Sequence, residues 1–462
     1  MVTLMMPETV ANRLARAYYG LRAPGALATL EALAKSQWWS AERLRCLQQQ
    51  RLLALLQHAF THVPYYRDLL RQIGADRRDF RSLADLPLLP SLTRHDLHQH
   101  GSRLLDERAD VSRLKRNATG GSTGTPVQFY QDTTYWRIGF ASMWRAWFLF
   151  PGYDLGVRHL QFWGADRDQP HQLLRAAGRI FFNQSFLNSF RTTTAALDRA
   201  LTQVERFAPR LLIAYASSAD LLARHARRHE RRVRIPSVVT SAETLAPEQR
   251  QLIAETFGAR IHNCYGCREI GAIAQQCEAS DGLHVNVETQ VVEFEPVDPA
   301  QPQGICRVLV THLGNTVMPL IRYELGDTVL RGGLQWERCA CGRALPRMQP
   351  VIGRVSDIIR TPAGHFVHGE YFTHLFYNQD VVSAFQVHQT DLHRLVIRVV
   401  PGAAYHDRFI EQVRQWIVSD HGFRDIEVEV CEQIEPAPSG KLRFTRSDVD
   451  PRAGNGSAAD LQ

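Results

Sequence analysis

The chain has 462 residues, too many for one hydrophobic core, so two or more domains are expected. Apolar residues at 44% and charged residues at 22% exclude fibrous, collagen-like and wholly disordered classes. The net charge of +7 rests on 54 basic residues, of which only Lys35, Lys115 and Lys441 are lysines. Exposed cationic positions mostly tolerate either residue, so the bias is compositional, but an ammonium differs chemically from a guanidinium and the three exceptions stand out.

Met1 to Gly20 lacks the apolar stretch of a signal peptide, and no run approaches the roughly 18 apolar residues of a membrane span. A cytoplasmic protein with no membrane span is expected. Eight cysteines in so long a chain suit reduced thiols or metal ligands better than a disulfide framework.

The first hundred residues read as helical. Leu44, Leu47, Leu52, Leu55 and Leu56 share one helix face. Leu86-Pro87-Leu88-Leu89-Pro90 reads as an extended connector, because a residue before proline avoids the helical region. Ser91 and Thr93 are candidate caps for a helix starting near Arg94. A Gly/Ser/Thr cluster, Asn117 to Pro126, precedes a helix bearing Trp136, Phe140, Met143 and Trp147 at helical spacing. From about 150 to 330, runs such as 211–215, 237–240 and 306–310 alternate with helical stretches, which argues for an α/β fold. The basic run from Arg224 to Arg234 reads as a solvated helix end and loop, with neither the fold nor the stacking aromatics of a nucleic-acid binder. Gly353-Arg354-Val355-Ser356-Asp357 precedes a segment with strands near 394–400 and 426–431 and a helix near 406–419. The division expected is a large domain over 1–353, a small α+β domain over 354–450 and a disordered tail over 451–462.

The Gly/Ser/Thr cluster is the strongest single signal. Glycines let backbone N–H groups approach and cradle phosphate oxygens, and hydroxyls add donors. No Gly-Lys-Ser/Thr follows, so it is not a Walker A loop. Gly120-x-Ser122-x-Gly124 also fits a hydrolase nucleophile elbow, but the surrounding threonines and Pro126 suit a phosphate loop better. Four further segments follow in order: Thr240-Ser241-Ala242-Glu243, Asn263-Cys264-Tyr265-Gly266-Cys267-Arg268-Glu269, Arg322-Tyr323-Glu324-Leu325-Gly326-Asp327 and Pro438-Ser439-Gly440-Lys441.

Taken together, this series resembles the adenylate-forming superfamily of acyl-CoA synthetases. Within it the chain is most similar to the phenylacetate–CoA ligase branch, with the capsule-biosynthesis and coenzyme F390 synthetase-like proteins, from Val63-Pro64-Tyr65-Tyr66-Arg67 to Lys441. The resemblance implies an ATP- and Mg²⁺-dependent ligase that forms an acyl-adenylate and then an acyl-CoA thioester. It implies a phosphate loop at Thr119, Gly120, Gly121, Ser122, Thr123, Gly124 and Thr125. Ser241, Ala242, Glu243, Asn263 and Tyr265 would border the adenine. Glu269 would hold Mg²⁺, Asp327 would accept from the ribose hydroxyls, Arg354 would contact nucleotide at a hinge, and Lys441 would bridge the carboxylate and the α-phosphate. Trp136, Phe140, Tyr215 and Ala242 are candidate walls of an acyl pocket suited to an aryl or other flat apolar acid, with a polar, sugar-linked or amino acid equally open. The chain departs from the family pattern at Thr125, where many relatives carry lysine, at Arg268, where many carry threonine, and at Ser356 in the hinge.

Cys277, His284, Cys339 and Cys341 offer three thiolates and an imidazole, a donor set for a closed tetrahedral zinc site, which the resemblance also suggests. Cys264 and Cys267 form a competing Cys-x-x-Cys pair inside the nucleotide motif, with a redox role as its alternative reading. Cys46, Cys306 and Cys431 read as buried thiols. Two rivals to the thioester-forming ligase stay open: an adenylate-forming enzyme with an amine or hydroxyl acceptor, and a nucleotide-binding scaffold without catalysis. A homodimer is also left open.

Overall fold

The computed structural model describes residues 6–118, 128–163, 178, 180–189, 194–299, 301–354, 358–362, 366–368, 372, 375–376, 381–435 and 444–449. The stretch Thr119–Thr125 expected as a phosphate loop, the expected hinge residues Val355, Ser356 and Asp357, the expected catalytic Lys441 and the tail 451–462 lie outside the described residues.

The helical start is present. Helices α1 (Glu8–Arg22), α2 (Ala26–Ser36), α3 (Ala41–His62), α4 (Pro64–Ile73) and α5 (Arg94–His100) occupy most of the first hundred residues. Ser40 caps α3 by accepting from the Arg43 N–H. Pro64 ends that run and begins the next, since its fixed φ suits a first helical position and Val63 before it is extended. Leu44, Leu52, Leu55 and Leu56 are buried as one face. Cys46 lies on the opposite side of α3 and is exposed, which corrects its reading as a buried thiol; Cys306 is buried and Cys431 half-buried.

The extended connector expected over Leu86–Pro90 is corrected as well. Leu83–Leu88 forms a 3₁₀ turn with Pro87 inside it, and Leu89 after it is extended. Ser82 accepts from the Ala84 N–H, and the Asp85 carboxylate accepts from the Ser82 N–H at 2.8 Å. That reciprocal cap outweighs the local preference of a residue before proline. Thr93, not Ser91, caps α5, exchanging hydrogen bonds with Asp96.

Two short strands, β1 (Lys115–Ala118) and β2 (Gln128–Gln131), pair antiparallel with Ala118 opposite Gln128, holding both ends of the expected phosphate loop. Helix α6 (Thr133–Trp144) follows and runs into a π turn over Arg145–Leu149. Then come β3 (His159–Phe162), β4 (Gln184–Leu187), α7 (Thr194–Phe207), β5 (Leu211–Ala214), α8 (Ala216–Arg228), β6 (Ser237–Ser241), α9 (Pro247–Phe257), β7 (Arg260–Cys267), β8 (Gly271–Gln276) and β9 (Leu283–Val285). With β13 (Arg347–Met348) the strands make one sheet in the order β13-β9-β8-β7-β6-β5-β3-β4. The β4-β3-β5-β6-β7 stretch is parallel. Its strand β5 is buried at every position, as a parallel strand covered on both faces requires. Helices α7, α8 and α9 pack on one face through Leu201, Leu222, Ile253 and Phe257, while α2 and α6 cover the other.

A second sheet runs β10 (Gln290–Pro296), β11 (Cys306–His312), β12 (Tyr323–Val329) and β14 (Gly353–Arg354). Beyond it, β15 (Ile358–Arg360) and β16 (Phe366–His368) pair, and β17 (Val382–Gln389), β18 (Arg394–Pro401), β19 (Asp425–Val430) and β20 (Thr445–Ser447) form a sheet in the order β19-β18-β17-β20. Helix α10 (Asp407–His421) packs on this sheet through Phe409, Val413 and Ile417. These C-terminal elements have a core of their own around Phe385, Val387, Ile397 and Phe423. The structure is thus α/β, with mixed sheets and helices. The sequence reading found β18, β19 and α10 but not β17 or β20.

Half of the arginines in the basic run at and beyond the end of α8 are held in ion pairs. Arg224 pairs with Asp220, Arg227 with Glu255 and Arg231 with Glu205, at 2.7–2.8 Å. Among the described residues no helix is long and apolar enough to cross a membrane.

Candidate active site

In a parallel α/β sheet, loops leaving the carboxyl ends of the strands form the ligand crevice. Here those loops carry Trp163 after β3, Tyr215 after β5, Ala242 and Glu243 after β6, and Glu269 after β7. Ala242 has φ +66, a left-handed value costing a residue with a Cβ on the order of 1 kcal/mol. This turn lets the Glu243 carboxylate accept from the Ser217 N–H at 2.8 Å, at the positive N-terminal end of α8. Tyr215, one residue before α8, stacks on Trp163 with centroids 4.1 Å apart.

Strand β7 places Asn263 beside Thr240 of β6 and sends Tyr265 towards the second sheet. The Tyr265 hydroxyl donates to the Asp327 carboxylate at 2.9 Å, joining two expected site residues from different sheets. Asp327 in turn faces Arg354 across the β12–β14 ladder. Gly266 is required by packing, because a Cβ there would collide with the Gly271 carbonyl of β8.

Glu269 is 4% exposed. The Tyr323 hydroxyl lies 3.5 Å from its carboxylate and the Arg94 guanidinium 3.9 Å away. Burial, with Glu269 adding to it, drives the Tyr323 hydroxyl well above the ordinary tyrosine range, so it stays protonated and able to donate. Burial likewise raises the Cys267 thiol, and neighbouring Glu269 raises it further. The Arg268 carbonyl accepts from Tyr135 Oη at 3.1 Å and Gln131 Nε2 at 3.3 Å, which ties the loop to β2 and α6.

Strand β12 is buttressed from the N-terminal helices. Tyr66, in the segment that helped suggest the family, donates to the Pro319 carbonyl at 2.7 Å and accepts from the Ile321 N–H. Arg322, left-handed at φ +52, donates to Glu293 and Glu295 at 3.0 and 2.6 Å and to the Leu89 carbonyl. Arg94, Tyr135 and Tyr66 had no assigned role from the sequence. Arg322 and Tyr323 lay inside a recognised motif, which was the available signal.

Trp136 and Phe140 are neighbours on α6, with centroids 5.6 Å apart, and Phe140 stacks on buried Trp144. Lys115 on β1 sets its ammonium 3.9 Å from the Trp136 ring centroid, a cation–π contact. Tyr215 contacts Trp163 instead, so the candidate wall residues form two aromatic groups.

The sulfur and nitrogen atoms of Cys277, His284, Cys339 and Cys341 lie within 4.8 Å of one another. Cys277 Sγ is 3.7 Å from Cys339 Sγ, and Cys341 Sγ is 3.6 Å from His284 Nε2. His284 Nδ1 donates to the Leu345 carbonyl at 2.9 Å, which leaves Nε2 with a lone pair turned to the thiols. Burial pushes the Cys277 thiol up to about 12 and pulls His284 down to about 4. Burial also pushes Cys341 up, but the Arg343 N–H and guanidinium outweigh it and hold that thiol below its ordinary value. Ligands around a tetrahedral zinc with Zn–S near 2.3 Å stand about 3.8 Å apart, so this donor set fits the ion. Cys264 instead points into the core beside Ile213 and Val239, and Cys267 packs against a different cluster, which leaves no redox pair there.

Residues 359–448 match the CapK C-terminal domain model. A phenylacetate-coenzyme A ligase from Thermus thermophilus is 29% identical over 69% of this chain and 72% of its own length. Protein CapK from Staphylococcus aureus is 21% identical over 87% of this chain and 89% of its own. These relatives come from the branch that the ordered motifs resemble. A crystal structure of 2-hydroxyisobutyryl-CoA ligase in the postadenylation state, in complex with R3-HIB-AMP, is 20% identical and covers 88% of this chain and 90% of its own, with a TM-score of 0.67. The fold is that of an adenylate-forming CoA ligase.

Proposed function

We propose that the chain uses ATP to activate a carboxylic acid as an acyl-adenylate and then passes the acyl group to CoA. The observation that supports this reading is the Tyr265–Asp327 contact, which joins β7 and β12, strands of two different sheets that carry two of the expected nucleotide motifs. In the first step a carboxylate oxygen attacks the α-phosphorus of ATP. The bond to the bridging oxygen breaks, and acyl-AMP and pyrophosphate form. Asp327, held by Tyr265, would accept from the ribose hydroxyls. Ser241, Ala242, Glu243 and Asn263 would border the adenine. Thr119 to Thr125 would donate to phosphate oxygens and Arg354 would contact the nucleotide.

Two anions meet in this step, so cationic charge must stand where negative charge gathers. Lys441 would supply it from the C-terminal unit, proposed as 354–450. Glu269 would hold Mg²⁺; a single buried carboxylate suits an ion that takes its other ligands from phosphate and water, and the ion supplies charge neutralisation. In the second step the CoA thiol sulfur attacks the acyl carbon and the C–O bond to AMP breaks. Rotation about 353–357 would withdraw Lys441 and admit the thiol.

Trp136, Phe140 and the Tyr215–Trp163 stack support a flat apolar acid, with phenylacetate as the first candidate. Cys277, His284, Cys339 and Cys341 would hold a structural zinc away from the chemistry. The C-terminal unit, which matches the CapK model, would face the acceptor, so an amine or hydroxyl acceptor is the second reading. Pyrophosphate release across a panel of aryl and aliphatic acids, with and without CoA, tests the proposal. Acid-dependent release with CoA consumption is expected. Acid-dependent release that leaves CoA untouched favours the second reading, and no release with any acid together with no ATP binding refutes both.

A further inference from the structure

One side chain joins three of the C-terminal elements, β15, β17 and β20. Gln389 closes β17 and is 0% exposed. Its Oε1 accepts from the Arg360 N–H at 3.0 Å and from the Ser447 hydroxyl at 2.8 Å. Its Nε2 donates to the Arg360 carbonyl at 2.7 Å, with the Leu392 carbonyl at 3.5 Å. Gln389 also faces Ser447 in the parallel β17–β20 ladder, and the Asp448 N–H donates to its carbonyl at 2.9 Å. One residue earlier, His388 Nε2 pairs with the Asp448 carboxylate at 2.6 Å, on the same two segments.

The two ends of this link matter for position. Arg360 ends β15, which directly follows the hinge segment 353–357. Ser447 ends β20, which begins at Thr445, four residues beyond Lys441. An amide has one acceptor oxygen and one donor nitrogen, and here both are engaged by fixed partners. A buried amide so held has one orientation, and the segments it joins move as one body.

We propose that Gln389 is a positioning residue for adenylation. It sets the strand that follows Lys441 against the hinge-side strand β15, so the ammonium arrives at the α-phosphate in a single geometry. This inference rests on the role given above to Lys441. Thioester formation breaks the acyl C–O bond after Lys441 has withdrawn, so a positioning role predicts that only the first half-reaction suffers.

The test uses the full chain with Gln389→Leu, which keeps the volume and removes every side-chain polar contact, and Ser447→Ala, which removes the hydroxyl arm to β20. Two half-reactions are measured with whichever acid of the panel releases most pyrophosphate. One is acid-dependent pyrophosphate release; the other is thioester formation from that acid's pre-made adenylate and CoA. Gln389→Leu is expected to lower kcat of the first about tenfold or more and Ser447→Ala about threefold, with the KM for ATP unchanged and the second half-reaction altered less than about twofold. Proportional loss of both half-reactions, or of neither, overturns the proposal. Should Gln389→Leu fail to fold, Ser447→Ala carries the same split. Hydrogen exchange gives a readout that needs no substrate. Gln389→Leu, or Ser447→Ala in its place, is expected to speed exchange of 358–360 and 444–449 together and leave α10 unchanged. Unaltered exchange in both segments overturns the link. A wild-type chain that turns over no acid, with variants that show the faster exchange, keeps the link and refutes the role of Lys441 instead.

Discussion

Replacing Glu288 by Gln probes the most deeply buried charge pair described. Arg145 and Glu288 are 0% and 1% exposed, with their closest atoms 2.7 Å apart. The pairing is bidentate, at 2.7 and 3.1 Å. Arg145 also donates to the Leu33 carbonyl and the Asn286 side chain, and Ser36 donates to Glu288 at 2.7 Å. One network thus joins α2, the π turn after α6 and the loop after β9. Glu288→Gln keeps the shape but leaves a guanidinium buried without its counter-charge, and such losses cost about 3–5 kcal/mol. Removing both charges, with Arg145→Met and Glu288→Leu, leaves the surrounding groups with other partners: Ser36 reaches the Leu33 carbonyl, which also accepts from the Gln37 N–H, and Asn286 Oδ1 accepts from Gln275, so that variant is expected within about 2 kcal/mol of the parent. Urea unfolding followed by tryptophan fluorescence measures both, from midpoints at unchanged slope. Burial pushes the Glu288 carboxyl up, but Arg145 and Ser36 outweigh it and hold it below the usual range. Its contribution is therefore complete above the unfolded carboxylate value, near 4.3, and is lost as pH falls through the lower folded value. The gap between parent and Glu288→Gln should narrow on acidification. A loss under about 1 kcal/mol for Glu288→Gln, or a double variant no better than the single one, refutes the reasoning.

The remaining predictions concern the chemistry. Lys441→Ala should lower pyrophosphate release by at least about a hundredfold, and Lys441→Arg should also be poor, because a planar fork does not replace a compact point charge. Near-normal acyl-AMP formation in Lys441→Ala would remove the assigned role. Tyr265→Phe deletes the hydroxyl on Asp327; losing a hydrogen bond to a charged group should raise the KM for ATP about tenfold, read from initial rates. Protein purified without chelator should carry one zinc per chain by elemental analysis, and Cys341→Ser should lose it along with thermal stability. A zinc-free parent of normal stability would end that assignment.

The motifs of the candidate site were legible because the expected chemistry needs certain residue types in a fixed order. Ser241-Ala242-Glu243 and Tyr265 to Glu269 fall at the ends of β6 and β7 and Tyr323 to Asp327 within β12, and their order along the chain carried the resemblance. The Cys/His set was legible for a similar reason, since few other roles call for those donors at that spacing. Two other features turn on competing local signals. The 3₁₀ turn through Pro87 depended on a reciprocal cap between Ser82 and Asp85. Cys46 was misread because a helix buries only one face, and that residue occupies the other.

Local sequence by itself determined the α/β class, the helical start, the ordered nucleotide motifs and the identity of the residues that would handle charge. Periodicity and turn chemistry act over a few residues, so a linear reading captures them. Which side chains meet was decided by tertiary structure. Tyr265 finds Asp327 across 62 positions, Arg145 finds Glu288 across 143, and Gln389 joins Arg360 to Ser447 only once β17 lies beside β20. The physical reason is that such pairs are fixed by how sheets and helices stack, and burial then makes each contact matter far more than it would in water.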